Sequence, residues 1–181
     1  MNFIPADLSG VILIEPDVHR DPRGFFVESY SSEAFAKGGI GVSFVQDNHS
    51  LSVVKGVLRG MHFQLPPHGQ SKLLRATRGA IYDVVVDLRT ASPTFGKWRG
   101  FELSDDNFRM LFVPAGFAHG FCTLRENTEV QYKVDRLYAP ASDGGIRWND
   151  PDVAIVWPIS EPILSPKDAA LPFLKDFNSP F

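Results

Sequence analysis

The sequence predicts an all-β fold, a double-stranded β-helix (jelly roll) with short peripheral helices. Three observations predict it. Apolar residues recur with a period of two along most of the chain, turn-forming clusters interrupt that pattern at short intervals, and two histidine-bearing segments have the spacing of a β-barrel site. Taken in order, strands are expected over 11–15, 24–30, 42–54, 57–63, 72–77, 81–89, 98–103, 110–113, 118–124 and 128–135. The turns between them are Asp21-Pro-Arg-Gly, Pro66-Pro67-His-Gly, Ser92-Pro93, Ser104-Asp-Asp-Asn and Asp143-Gly-Gly. The 81–89 segment alternates most cleanly. Tyr82, Val84, Val86 and Leu88 fall on one face and Asp83, Asp87 and Arg89 on the other, as in a half-buried strand. Two pieces read as helical. One is 31–37, with serines to cap it and Gly38-Gly39 to stop it, and the other follows Pro166. About forty C-terminal residues, rich in proline, are expected to wrap the barrel as irregular chain. No internal repeat or linker divides the sequence, so residues 1–181 read as a single domain.

Composition narrows the function. With 44% hydrophobic residues, 181 residues suffice to enclose a pocket. A formal net charge of -3 leaves no electrostatic footprint for nucleic acid. The first twenty residues lack a signal pattern and no apolar run approaches a membrane span, so no membrane association is expected and the chain reads as cytoplasmic. Cys122 is the only cysteine, and between Phe121 and Thr123 it reads as a small core residue.

The chemistry concentrates in two segments. Metal-binding jelly rolls carry His-x-His with a following carboxylate on one strand and Pro-x-Gly-x-x-His on another. Here the second stands as Pro114-Ala-Gly116-Phe-Ala-His119, but the first reads His62-Phe63-Gln64, and Lys72 stands where a carboxylate is expected. An amide and an ammonium beside two imidazoles make a poor cage for a divalent ion, so no metal is expected. A titratable imidazole beside a fixed positive charge instead suits removal of a proton next to a carbonyl and retention of the enolate. Parity adds Tyr132, which shares a face with Val130 and Val134 and should point into the barrel; His119 and Phe121 also share a face, as do Gln46 and Asn48. Arg59 and His62 have opposite parity. They can reach one cavity only if Gly60 permits a bulge, or else Arg59 serves a neighbouring pocket across a dimer interface. His19, His49 and His68, in or near turns, read as ordinary histidines. Arg23, in Asp21-Pro-Arg-Gly, offers a planar fork for phosphate.

In order along the chain stand Asp21-Pro-Arg-Gly-Phe, Gln46-Asp-Asn-His-Ser, Gly56-Val-Leu-Arg-Gly-Met-His-Phe-Gln, Ser92-Pro-Thr-Phe-Gly-Lys-Trp, Val113-Pro-Ala-Gly-Phe-Ala-His-Gly-Phe, Gln131-Tyr-Lys, Trp148-Asn-Asp-Pro and Leu164-Ser-Pro-Lys-Asp. Singly each is weak, but the ordered set covers nearly the whole chain. It closely resembles the dTDP-4-dehydrorhamnose 3,5-epimerase family, a branch of the cupin barrels. The resemblance implies a cofactor-independent isomerase inverting C3 and C5 of a dTDP-linked 4-keto-6-deoxy sugar. It implies His62 as general base, Asp168 as its dyad partner, Tyr132 as general acid and Lys72 as the cation at the enolate oxygen. Arg23, Glu28, Gln46, Asp47, Asn48, Arg59, His119, Asp143 and Lys167 fall on substrate-binding positions. Asp143 stands where many relatives have Glu, and Met61 where many have Leu. The family forms homodimers with exchanged N-terminal strands. The alternatives are an epimerase of C3 alone or C5 alone with the same catalytic residues, or a non-catalytic nucleotide-sugar binding barrel.

Overall fold

The computed structural model describes residues 1–181. Its strands are β1 (Asn2–Pro5), β2 (Ile12–Glu15), β3 (Val18–Asp21), β4 (Gly24–Val27), β5 (Gln46–Ser52), β6 (Leu58–Gln64), β7 (Lys72–Arg78), β8 (Ala80–Asp87), β9 (Trp98–Ser104), β10 (Met110–Val113), β11 (Phe117–Thr123), β12 (Thr128–Val134) and β13 (Asp143–Gly145). The helices are α1 (Ser32–Lys37) and the four-residue α2 (Pro166–Ala169). Two antiparallel sheets form a jelly-roll sandwich, as the sequence predicts. One has the order β1-β2-β10-β7-β12-β5, the other β13-β6-β11-β8-β9, while β3 and β4 pair only with each other as a hairpin.

Three apolar layers hold the sheets. Leu74, Ala76, Ile81, Val85, Leu111, Phe117, Phe121 and Val130 meet between them. Phe35 of α1 closes a second layer on the outside of the six-stranded sheet, against Ile14, Leu73, Met110 and Phe112. Its fully buried ring contributes on the order of 2–3 kcal/mol. Ser31 caps this helix by accepting from Ala34 N at 3.3 Å, and Gly39 (φ +90°) turns the chain away from it.

The third layer corrects the expectation for 81–89. The strand is buried on both faces, not one. Val84, Val86 and Leu88 point to the outside of the five-stranded sheet, where the C-terminal chain covers them with Ile155, Trp157, Leu174, Phe177 and Phe181. Asp83, assigned by alternation to the solvent side, lies inside the sandwich with its side chain fully buried. Alternation located the two faces correctly, but the irregular C-terminal wrap covers the apolar face while the other turns into the sandwich, so neither meets water.

Three strands were not anticipated: β1, β3 and β13. The last reads as a turn because its glycines serve close approach. A Cβ on Gly145 would lie 2.5 Å from the Met61 carbonyl, so only glycine lets this strand pair with β6.

Candidate active site

Side chains from both sheets line a cavity of about 450 Å³, within the size range of small-molecule sites. The five-stranded sheet contributes Arg59 and His62 from β6 and His119 and Phe121 from β11, while the six-stranded sheet contributes Lys72 and Leu74 from β7 and Val130 and Tyr132 from β12. The C-terminal chain closes one side with Ile163, Leu164, Ser165, Lys167 and Asp168.

The parity problem of Arg59 and His62 is resolved by a bulge. On β11, Phe121 pairs with Arg59 and His119 with His62, so three steps on β6 oppose two on β11. Gly60 (φ +148°) absorbs the extra residue. A Cβ there would lie 2.6 Å from the Gly120 Cα, so both strands require glycine at this crossing. The bulge turns both side chains into one cavity. Arg59 is steadied by the β5 edge, donating to the Leu51 carbonyl at 3.2 Å and to Ser52 Oγ at 3.4 Å.

His62 Nε2 meets Asp168 Oδ1 at 2.6 Å, and the Asp168 side chain is 5% exposed. Several local contacts bring this distant carboxylate into place. The chain bridges to the start of β6 through Val57 and Ile163, and Ser165 caps α2 by accepting from Asp168 N at 3.1 Å. Arg147 donates to the carbonyls of Leu171 at 3.0 Å and Ala169 at 3.1 Å, clamping the segment just beyond it. Burial holds His62 below its ordinary value, with Lys72 and Lys167 acting in the same sense and Asp168 opposing them through its hydrogen bond and charge. The imidazole is therefore neutral near pH 7 and able to accept a proton. With Nε2 engaged by Asp168, Nδ1 is the nitrogen left to accept it.

Lys72 enters no ion pair, although burial pulls its ammonium down to about 8 against the opposing charges of Asp83 and Asp143. It stays cationic at neutral pH. Burial pushes the Tyr132 phenol above its ordinary value, opposed by Arg59, so its hydroxyl keeps its proton. His119 Nε2 contacts both Asp83 oxygens, at 3.1 and 2.9 Å.

The remaining sequence-predicted site residues scatter. Asp143 lies at the rim, taking hydrogen bonds from Lys167 and from Tyr138 Oη; these hold its carboxyl below the usual range although burial alone would raise it. Gln46 and Asn48 bond to each other at 2.9 Å beside Tyr132 on neighbouring strands. Asp47 points the other way and pairs with Lys133 at 2.9 Å. Arg23 and Glu28 lie outside the cavity. The Arg23 side chain is 90% exposed and pairs only with Asp21, on a hairpin that carries Phe25 and Phe26 into solvent. Gln64 is also outside the cavity wall, its amide tied to the carbonyls of His68 and Leu137 and to Ala139 N. Of the ordinary histidines, His49 pairs with Glu129 at 3.0 Å and His68 meets Ser142 Oγ at 2.9 Å. Sequence reasoning missed Asp83 and Arg147. Nothing in alternation marks the first as interior, and the second works through backbone carbonyls more than twenty residues away.

Comparison with known proteins identifies the family. The family model for dTDP-4-dehydrorhamnose 3,5-epimerase matches residues 5–176. The Escherichia coli (strain K12) dTDP-4-dehydrorhamnose 3,5-epimerase is 53% identical over 173 residues, covering 94% of this chain and 93% of that protein. The crystal structure of the Bacillus anthracis dTDP-4-dehydrorhamnose 3,5-epimerase, with TDP and pyrophosphate bound, superposes with a TM-score of 0.94 at 52% identity, over 96% of this chain and 99% of that one. The Legionella pneumophila dTDP-6-deoxy-D-glucose-3,5-epimerase, in complex with dTDP-4-keto-L-rhamnose, gives 0.93 at 44% identity, over 98% and 94%. A match that runs almost end to end, over the strands that build the cavity and the C-terminal segment that closes it, places this chain in the dTDP-4-dehydrorhamnose 3,5-epimerase family.

Proposed function

We propose that this protein inverts C3 and C5 of dTDP-4-dehydro-6-deoxyglucose to give dTDP-4-dehydro-L-rhamnose, by proton transfer beside the C4 ketone. The observation that carries the reading is the placement of His62 and Tyr132 on opposing sheets of one cavity, with the unpaired Lys72 between the same walls. A ketone at C4 acidifies the C–H bonds at both neighbours, so one site can treat both centres. His62 Nδ1 takes the proton from carbon, the electron pair moves onto the C4 oxygen, and Lys72 holds that oxyanion. Asp168 stabilises the imidazolium. Tyr132 then delivers a proton to the same carbon from the other side, its phenolate is reprotonated from solvent, and His62 returns its proton to solvent. The atoms balance without a redox step. A turn of the sugar presents the second carbon to the same pair.

Substrate binding falls to Arg59, His119, Gln46, Asn48, Asp143 and Lys167 around the cavity. Arg23 and Glu28 serve from a second copy. Their hairpin, with Phe25 and Phe26 exposed by 58% and 69%, does not face its own cavity, which supports a homodimer whose N-terminal strands are exchanged. No helix is long and apolar enough to cross a membrane, and the reaction on a nucleotide-linked sugar belongs in the cytoplasm.

The test supplies dTDP-4-keto-6-deoxyglucose in deuterated water and follows C3 and C5 by NMR. Exchange and inversion at both carbons are expected. Exchange at one carbon alone identifies a single-centre epimerase, and exchange at neither, with nucleotide-sugar still bound, sinks the catalytic reading.

A further inference from the structure

One fully buried carboxylate has no part in the proton transfers just described. Asp83 sits on the inward face of β8, in register with Phe121 of β11, and its side chain is 0% exposed. Both its oxygens meet His119 Nε2, at 3.1 and 2.9 Å, so they lie behind the cavity wall and not on it. A carboxylate sealed from water persists only where its charge is matched. The charges that act on it are those of His119 and Lys72, and the other titratable groups of the site stand on the elements around the cavity in front of it. Arg59 and His62 stand on β6, Lys72 on β7, His119 on β11, Tyr132 on β12, Asp143 on β13, and Lys167 and Asp168 on the C-terminal chain. Asp168 is taken by His62, and Asp143 by Lys167 and Tyr138. Asp83, hydrogen-bonded to His119, is the carboxylate whose charge bears most on the unpaired Lys72, with Asp143 second.

We propose that Asp83 is a positioning residue of the reaction, the counter-charge that keeps the Lys72 ammonium aimed at the enolate oxygen and the anchor that leaves His119 Nδ1 for the substrate. This rests on the assignment of Lys72 as oxyanion partner. The charges of Asp83 and Lys72 favour each other's ionised forms against the burial that opposes both. With Nε2 held by the carboxylate, the ring of His119 presents Nδ1 to the cavity, within reach of a sugar hydroxyl.

Asp83→Asn keeps the shape and removes the charge. The alkaline limb of kcat in the unmodified enzyme belongs to Lys72, near 8, since Tyr132 is held above its ordinary 10. In the variant that limb should fall by about one pH unit, lowering turnover at about pH 8 roughly fivefold while the plateau below about pH 6.5 changes much less. A limb that stays in place while thermal stability falls would make Asp83 merely structural and overturn the proposal. Should Asp83→Asn fail to fold, Lys72→Met provides the converse reading. Deprived of its counter-charge, Asp83 should take up a proton and show a carboxylic-acid C=O band in infrared spectra, shifted by ¹³C-aspartate labelling; no such band overturns the pairing. Full turnover by Lys72→Met would instead remove Lys72 from the oxyanion role, a failure distinct from that of Asp83.

Discussion

Asp168→Asn is the perturbation that tests the dyad most directly, because it leaves the geometry almost unchanged. The 2.6 Å contact with His62 becomes a hydrogen bond to a neutral amide, in a spot where the side chain is 5% exposed and solvent screening is weak. A charge-assisted hydrogen bond exceeds a neutral one by about 1–2 kcal/mol, and the imidazolium formed in the transition state also loses its adjacent anion. Together these amount to about 2–3 kcal/mol, or a drop in kcat of about 30- to 150-fold. His62→Asn removes the base outright and should cost at least as much, within about 10²–10⁴-fold. The sign of the pH effect is fixed as well. Burial already holds His62 below 6.5 and Asp168 works against that, so its loss moves the acidic limb of kcat/KM to lower pH. At about pH 7 the imidazole is neutral in both proteins, and the lost rate reflects a weaker base and not a protonated one. The assay is NMR-monitored deuterium exchange beside the ketone across about pH 5–9. An acidic limb displaced upward, or a preserved kcat with only KM raised, would refute the dyad.

Tyr132→Phe keeps the ring among Val130 and its neighbours and removes only the proton source, so it should exchange deuterium beside the ketone yet form little inverted sugar; inversion at the unmodified rate would assign the donor to water or another side chain. Arg23→Ala should raise KM with little change in kcat, because the role proposed for its fork is phosphate contact and not chemistry at the reacting carbons, and a fall in kcat at saturation would contradict that role. Exhaustive chelation should leave turnover unchanged, since Gln64 is committed to loop backbone and Lys72 is a cation; activity lost and then restored by a divalent ion would overturn the assignment of Lys72.

Most of the barrel was legible because alternation survives wherever a strand has one apolar face, and β12 shows it: parity alone put Tyr132 inside. The bulge at Gly60 was legible for a related reason, since two polar side chains of opposite parity reach one cavity only if a residue is inserted between them. Strand β8 shows where that reasoning stops. Its alternation resembles that of a surface strand, yet the C-terminal chain seals its apolar face and the polar face supplies Asp83 to the interior. Binary pattern distinguishes two faces, but which of them meets water depends on segments remote in sequence. Asp168 is the extreme case. It stands 106 residues from His62 on a helix of four residues, with a serine before it that would cap any helix, so nothing local separates a dyad partner from a helix-start carboxylate. Only the resemblance of the whole chain supplied that role. The N-terminal hairpin was half legible: the turn at Asp21–Gly24 was evident, but its detachment from both sheets was not.

The topology also explains how one cavity can act on two carbons. Because β6 and β11 pair in one sheet while β7 and β12 pair in the other, the proposed base His62 and acid Tyr132 come from opposite walls, each flanked by strands that fix its direction. Neither can swing to the other's side, so any carbon held between them is deprotonated from one face and reprotonated from the opposite one, whichever carbon it is. Stereochemical outcome at each centre is thus a property of the sandwich, whereas the number of centres treated depends on whether the sugar can turn within the cavity while its C4 oxygen stays on Lys72. Enzymes that invert one centre and enzymes that invert two can therefore share the same acid, base and cation. The difference between them belongs to the groups that grip the rest of the sugar, a role proposed here for Asp143 and Lys167 at the rim and His119 on the wall, and substitutions there should alter the ratio of exchange at C3 to exchange at C5 before they alter the rate at either.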